Sequence, residues 1–129
     1  MKKITFEEAK KLNQNFVKTR SKAIDSAIGK NDAVSSWFSL DELKEYIAYV
    51  EEQGKLKKID VTGLRVYFGA YNNSEKEGTK KDLTTVFIVP TQKNEKLKGK
   101  VGGDNSDITD IDGLNGGGLG YPPSAVYPQ

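Results

Sequence analysis

The chain has 129 residues with 20 basic and 18 acidic side chains, and it contains neither histidine nor cysteine. Without these two residues it cannot build a Ser-His-Asp or Cys-His nucleophile system, or a zinc or haem site that depends on Cys or His ligands. Acid–base catalysis would instead need Asp, Glu, Lys or Tyr with pKa values moved toward neutrality by burial or by neighbouring charges.

Charge is distributed unevenly along the chain. Residues 1–100 carry all 20 basic and 14 of the 18 acidic side chains, whereas residues 101–129 carry four Asp and no basic residue. A body of net charge +6 therefore precedes a tail of −4, which favours attachment of the tail to the body or to a basic partner. No apolar run suits a leader or a membrane span, so we expect a soluble, cytoplasmic protein with no membrane partner.

The first predicted helix begins at about Thr5, because Thr5 and Glu8 have the spacing of a capping box. We expect it to end at Gly29, and the polar pair Thr19 and Ser21 leaves open whether the segment is one helix or two. Its predicted apolar stripe consists of Phe6, Ala9, Leu12, Phe16, Ala23 and Ala27.

A second helix is predicted over residues 39–53. Ser39 is its N-cap, Glu42 follows three residues later, and Gly54 is expected to end it. The predicted buried face consists of Leu40, Leu43, Ile47 and Val50.

After this helix the pattern changes to the period of two that is typical of a strand. In residues 64–71 the apolar residues Leu64, Val66, Phe68 and Ala70 alternate with Arg65, Tyr67, Gly69 and Tyr71. The polar residues 72–82 that follow are long for a hairpin turn, so we expect them to be mobile or to face a partner.

A second strand is predicted over residues 83–89, and its apolar residues on both faces indicate an interior position in the sheet. Pro90 is expected to end it, because proline lacks the N–H that a ladder needs. Since two strands alone are marginal, residues 59–61 or 97–101 are expected to add an edge strand.

These elements predict an α+β fold: a small single domain in which two N-terminal helices pack on a short, mainly antiparallel sheet, followed by an extended Gly/Pro-rich C-terminal arm. We place the helix-covered domain at residues 1–100. Residues 101–129 are predicted to be a flexible, acidic, Gly/Pro/Tyr-rich tail, because such a composition buries too little apolar surface to offset the entropy of ordering.

Two surfaces are candidates for partner binding. Arg65, Tyr67 and Tyr71 share one strand face and are of the types enriched at interface hot spots, although Tyr residues of this kind also serve as core periphery. In the tail, Tyr121, Val126 and Tyr127 lie on a proline-stiffened backbone that could enter a groove at low entropic cost.

Three other motifs have simpler interpretations. Asp104, Asp107, Asp110 and Asp112 do not follow the register of a calcium loop, and the glycines of residues 116–120 are followed by Tyr-Pro-Pro rather than by a phosphate-binding helix. Lysine clusters are mixed with acidic residues and lack a base-stacking aromatic motif. We therefore expect no metal, no cofactor and no nucleic-acid partner.

The sequence favours a small non-catalytic protein-binding or assembly module, such as a scaffold, an inhibitor or an immunity-like protein, whose C-terminal arm docks on a partner or on a neighbouring copy. One alternative is a small enzyme that uses carboxylate, Tyr or Lys chemistry. Its available groups would be Tyr67, Tyr71, Arg65, Asp60 and Asp82. Another alternative is a weak nucleic-acid-associated accessory protein, whose binding would fall steeply with salt.

Overall fold

The computed structural model describes residues 1–94, 104–120 and 122–129. The α+β class is confirmed, with helices and a three-stranded antiparallel sheet. Contacts group the chain into two compact units. Unit 1 comprises Met1–Trp37, Gly69–Thr85 and Gly117–Gln129, and unit 2 comprises Phe38–Phe68 and Val86–Gly116. The predicted boundary at residue 100 lies outside the described residues.

Unit 1 begins with helix α1, Phe6–Phe16, and the predicted capping box is confirmed. Thr5 Oγ1 accepts a hydrogen bond from the Glu8 N–H at 3.1 Å, and Glu8 Oε2 accepts one from the Thr5 N–H at 2.7 Å. A π-helical turn, Val17–Ser21, joins α1 directly to helix α2, Lys22–Ile28.

Helix α2 ends at Gly29, as predicted, in the left-handed conformation with φ 73°. The predicted burial of the apolar stripe is wrong for α1, which has no buried residue: Phe6 is 51% and Leu12 is 61% exposed. The buried apolar cluster of unit 1 comes instead from the segments between the regular elements. It consists of Ala33, Leu83 and Leu119, with Ile28 and Tyr71 packed against it.

Asp32 anchors the segment after α2 within unit 1. It is 1% exposed. Its Oδ1 accepts the Thr84 N–H at 2.6 Å and its Oδ2 accepts the Thr84 hydroxyl at 2.5 Å. The Asp32 N–H in turn donates to Asp25 Oδ1 at 2.7 Å. The buried carboxylate is thus satisfied by two donors of one residue.

Unit 2 begins with helix α3, Leu40–Lys57, and the Ser39 cap is confirmed, with Ser39 Oγ accepting the Glu42 N–H at 3.0 Å. The predicted end at Gly54 is wrong, because the helix continues to Lys57. Gly54 has a different role. A Cβ there would lie 2.8 Å from Val61 Cγ2 and 3.0 Å from the Ile59 carbonyl oxygen, so glycine lets the chain pass closely over the helix.

The buried face of α3 agrees with the prediction at Val50 and at Leu43, which packs against the core, and differs from it at Leu40 and Ile47. Tyr46 and Val50 are buried, whereas Leu40 is 68% and Ile47 is 45% exposed. Tyr46 replaces them because its ring packs in the unit 2 core. Its hydroxyl lies 3.2 Å from the Ile88 carbonyl oxygen and 3.0 Å from that of Asp112, so the two oxygens share its one proton.

The sheet contains β1, Val61–Ala70, β2, Thr84–Lys93, and β3, Asn105–Asp107, in the order β1-β2-β3. The polar segment predicted between the first two strands contains a 3₁₀ turn, Glu75–Lys80. Strand β3 pairs with β2 so that Thr91 lies opposite Asp107.

The prediction that Pro90 ends the second strand is wrong. The Pro90 carbonyl accepts the Ile108 N–H at 2.9 Å, just beyond the end of β3. In an antiparallel strand, the main-chain nitrogen and carbonyl of one residue point to the same neighbouring strand. Those of Pro90 point toward β3, so the N–H that proline lacks removes one hydrogen bond to β3 and none to β1.

The third strand lies in a segment whose composition predicted an unpacked tail. Ile108 is 3% and Ile111 is 4% exposed, and both join Tyr46, Val50 and Ile88 in the core of unit 2. The extended arm is therefore not confirmed. Of the two predicted edge segments, residues 97–101 lie outside the described residues, and from residues 59–61 only Val61 belongs to a strand. In the described part of the chain, no helix has the length and apolar character that crossing a bilayer requires.

Candidate functional site

Strand β1 carries a polar cluster on one face of unit 2, formed by Arg65, Tyr67 and Asp107. Arg65 Nη1 donates to Asp107 Oδ1 at 2.5 Å, and its Nη2 donates to the Asn105 carbonyl at 3.1 Å. The Tyr67 hydroxyl donates to Asp107 Oδ2. The Tyr67 ring stacks on Phe87 with centroids 5.3 Å apart, so the cluster ties β1 to both other strands.

The hydrogen bond that Arg65 donates to Asp107, followed by its interaction with Tyr67, raises the pKa of Arg65 above its ordinary value. Each oxygen of the Asp107 carboxylate already accepts from a protein donor. The Asp107 carboxylate is thus fixed between Arg65 and Tyr67, and its side chain is 30% exposed.

The opposite face of β1 carries an exposed apolar row, defined here as Leu64, Val66 and Phe68. Their side chains alternate with Arg65 and Tyr67, so they project from the other side of the strand. They are 38%, 57% and 81% exposed, respectively. The alternation was predicted from the sequence, whereas the exposure of this row was not. A role for the Arg65 and Tyr67 side of β1 in partner binding stays a prediction.

The edge of β1 that faces away from β2 has no strand beside it among the described residues. Soluble proteins usually protect such edges with Lys, Pro or inward-pointing charges. Residues 61–70 contain no proline and one charged residue, Arg65, which is engaged with Asp107. The sequence signal that could have identified this edge is the lack of protecting residues over ten strand positions.

Tyr71, the third predicted residue of the strand face, belongs to unit 1. It packs against the Ala33, Leu83 and Leu119 cluster, and Lys80 Nζ lies 5.5 Å from its ring centroid. The strand face predicted as one surface is thus divided between the units. The groups proposed for an enzyme are divided in the same way, because Asp82 also belongs to unit 1 and Asp60 to unit 2.

The C-terminal candidates lie on unit 1, except Tyr121, which is outside the described residues. The Tyr127 ring lies 5.7 Å from that of Phe6, and its N–H donates to Asn13 Oδ1 at 3.0 Å. Val126 is 48% exposed. The end of the chain therefore contacts α1 of its own unit, and a role for Val126 and Tyr127 in partner binding stays a prediction.

A cavity of about 620 Å³ adjoins this contact and combines cationic with apolar lining. Its lining includes Lys10, Lys18, Lys22, Val17, Val126 and Tyr127. Within residues 1–94, 104–120 and 122–129, no group of three or more acidic side chains is arranged to hold a metal ion.

Comparisons of the chain with protein-family models, with curated proteins and with solved structures gave no match.

Proposed function

We propose that this protein is a non-catalytic assembly module that binds a second copy of itself through strand β1. The observation that carries the proposal is the exposed apolar row of Leu64, Val66 and Phe68 on β1, an end strand with a neighbouring strand on one side only among the described residues. An exposed, apolar strand edge is a template for pairing with another strand, because it offers both main-chain hydrogen bonds and apolar surface.

A second copy is the occupant that the strand itself supports best. Two identical strands in antiparallel orientation form an isologous contact, so the same apolar row supplies both sides and each chain offers the other the N–H and C=O groups of its outer edge. The polar cluster favours this arrangement further, because Asp107 holds the one cation of β1 and so removes an unpaired charge from the edge.

The size of the surface predicts a dimer of moderate affinity. From the exposed fractions of the row and aromatic and aliphatic side-chain areas of roughly 150 to 200 Å², the row exposes about 300 Å² per copy. Two copies together contribute at most about 600 Å², roughly half of the 1,200 Å² at which stable interfaces begin, so the main-chain hydrogen bonds of the paired strands must supply much of the affinity. We therefore expect a dissociation constant on the order of micromolar rather than nanomolar.

Sedimentation velocity over a wide concentration range tests the proposal. We expect the wild-type protein to dimerise and Val66→Lys to sediment as a monomer, because two lysines would face an apolar interface at the strand edge. Phe68→Lys serves as a second variant. Leu56→Lys is the matched control, since Leu56 lies on α3 of the same unit, is 70% exposed and is outside the row.

Circular dichroism would establish that each variant is folded. A folded wild-type protein that remains monomeric at high concentration would overturn the proposal, as would a Leu56→Lys variant that loses the dimer while Val66→Lys retains it. A cytoplasmic location is part of the same proposal, on the ground that a chain without cysteine suits a reducing compartment.

A further inference from the structure

We infer that the two β1 strands pair about a two-fold axis through Val66, so that Val66 faces Val66 of the second copy and Leu64 faces Phe68 of the second copy. This inference rests on the proposed function and specifies its geometry. It assigns a single register to the contact, and it turns two three-stranded sheets into one continuous six-stranded sheet.

The apolar row first restricts the register to every second position. Residues directly opposite each other in an antiparallel pair lie on the same face of the sheet. A slip of one residue would therefore set the apolar row of one copy beside Arg65 and Tyr67 of the other. Only registers that pair even-numbered with even-numbered residues bring the two rows onto one face.

Among those registers, side-chain chemistry selects the one centred on Val66. Centring the axis on Arg65 would place the two guanidinium groups opposite each other and Phe68 opposite Thr62, which pairs like charges and leaves the most exposed apolar ring against a hydroxyl. Centring it on Tyr67 would place Leu64 opposite Ala70 and shorten the overlap of the strands.

The register centred on Val66 avoids both faults. Each member of the apolar row faces another member, and Phe68, which is 81% exposed in the single chain, gains Leu64 of the second copy as a lateral neighbour. On the other face, Arg65 lies opposite the aromatic ring of Tyr67 of the second copy, a pairing of a cation with an aromatic ring. Nine residues of each strand, 62–70, overlap.

The natural chain contains no cysteine, which allows the register to be measured with single introduced thiols. Directly opposed Cα atoms in an antiparallel pair are about 4.5 to 5.5 Å apart, within the range that a disulfide spans. We expect Val66→Cys to form a disulfide-linked dimer under mild oxidation, and reductant to reverse it.

Two further variants provide matched controls. Leu64→Cys alone should not cross-link, because the two thiols would be four residues apart along the strand, about 13 Å. Phe68→Cys alone should not cross-link for the same reason. A mixture of Leu64→Cys and Phe68→Cys should yield the mixed disulfide, since the register sets these positions opposite each other.

Sedimentation of the reduced variants tests dimerisation through β1 separately from the register centred on Val66. If the reduced proteins dimerise but Val66→Cys stays uncross-linked while Leu64→Cys or Phe68→Cys cross-links alone, the register is overturned and the proposed function stands. If neither the wild-type protein nor any reduced variant dimerises, the proposed function fails and the register fails with it. A disulfide at Val66 together with the Leu64–Phe68 mixed disulfide supports both.

Discussion

Replacing Gly54 by alanine tests whether this glycine is required for close packing or is a helix breaker. In an open helix, Gly→Ala stabilises by roughly 0.5 to 1 kcal/mol because glycine is a poor helix former. Gly54 lies within α3 and is buried. A Cβ there would come within 2.8 Å of Val61 Cγ2 and 3.0 Å of the Ile59 oxygen.

The close contact should outweigh the gain in helix propensity. Overpacking a core costs about 1 to 3 kcal/mol. Moving the chain after α3 would also weaken the bond from the Ile59 N–H to the Gly54 carbonyl, now 2.8 Å long, and a bond of this kind contributes about 1 kcal/mol. We therefore expect Gly54→Ala to lower the free energy of unfolding by roughly 1 to 2 kcal/mol.

The assay is urea unfolding followed by circular dichroism, with Ala48→Gly as control, because Ala48 is an exposed position of α3 where propensity alone should act. Ala48→Gly should destabilise by about 0.5 to 1 kcal/mol. Adding Val61→Ala to Gly54→Ala should recover part of the loss, which a double-mutant cycle measures as coupling. A Gly54→Ala protein as stable as the wild type, or more stable, would show that the close approach at Gly54 has no energetic effect.

Three other substitutions have expected outcomes. Asp32→Ala should lower the free energy of unfolding by about 3 kcal/mol, because it leaves the N–H and hydroxyl of Thr84 without their acceptor; equal stability in chemical denaturation would contradict this. Burial, followed by the charges of neighbouring groups, raises the pKa of Tyr46, so its contribution to stability should be complete below about pH 10 and lost at higher pH. Tyr46→Phe should lack this part of the alkaline loss, and parallel pH profiles for the two proteins would refute the assignment. Tyr127→Ala removes the contact with Phe6 and should increase amide exchange in α1, whereas unchanged exchange would show that the C-terminal contact does not restrain the helix.

Local features of the chain were predictable where neighbouring residues decide them. The caps at Thr5 and Ser39 and the left-handed end at Gly29 depend on side chains within a few positions, and all three are confirmed. The period of two correctly indicated β1, and the α+β class followed from the order of the elements.

Only part of the candidate site was predictable, because its residues come from segments that are distant in sequence. Arg65 and Tyr67 were selected by residue type, but their partner Asp107 is 40 or more positions away in sequence and lies in a segment whose composition predicted a solvated tail. The exposure of the apolar row was not predictable, because alternation shows which residues share a face but not whether another element covers that face.

The sequence alone therefore determined where α1 and α3 begin, where α2 ends and which residues alternate along β1, because these depend on backbone and side-chain interactions within a turn or two. Only the tertiary structure decided that Ile108 and Ile111 are buried, that Gly54 lies beneath a crossing chain, and that Leu64, Val66 and Phe68 remain exposed. Each of these depends on which distant segment comes into contact, and burial by a distant segment leaves no local periodicity to detect.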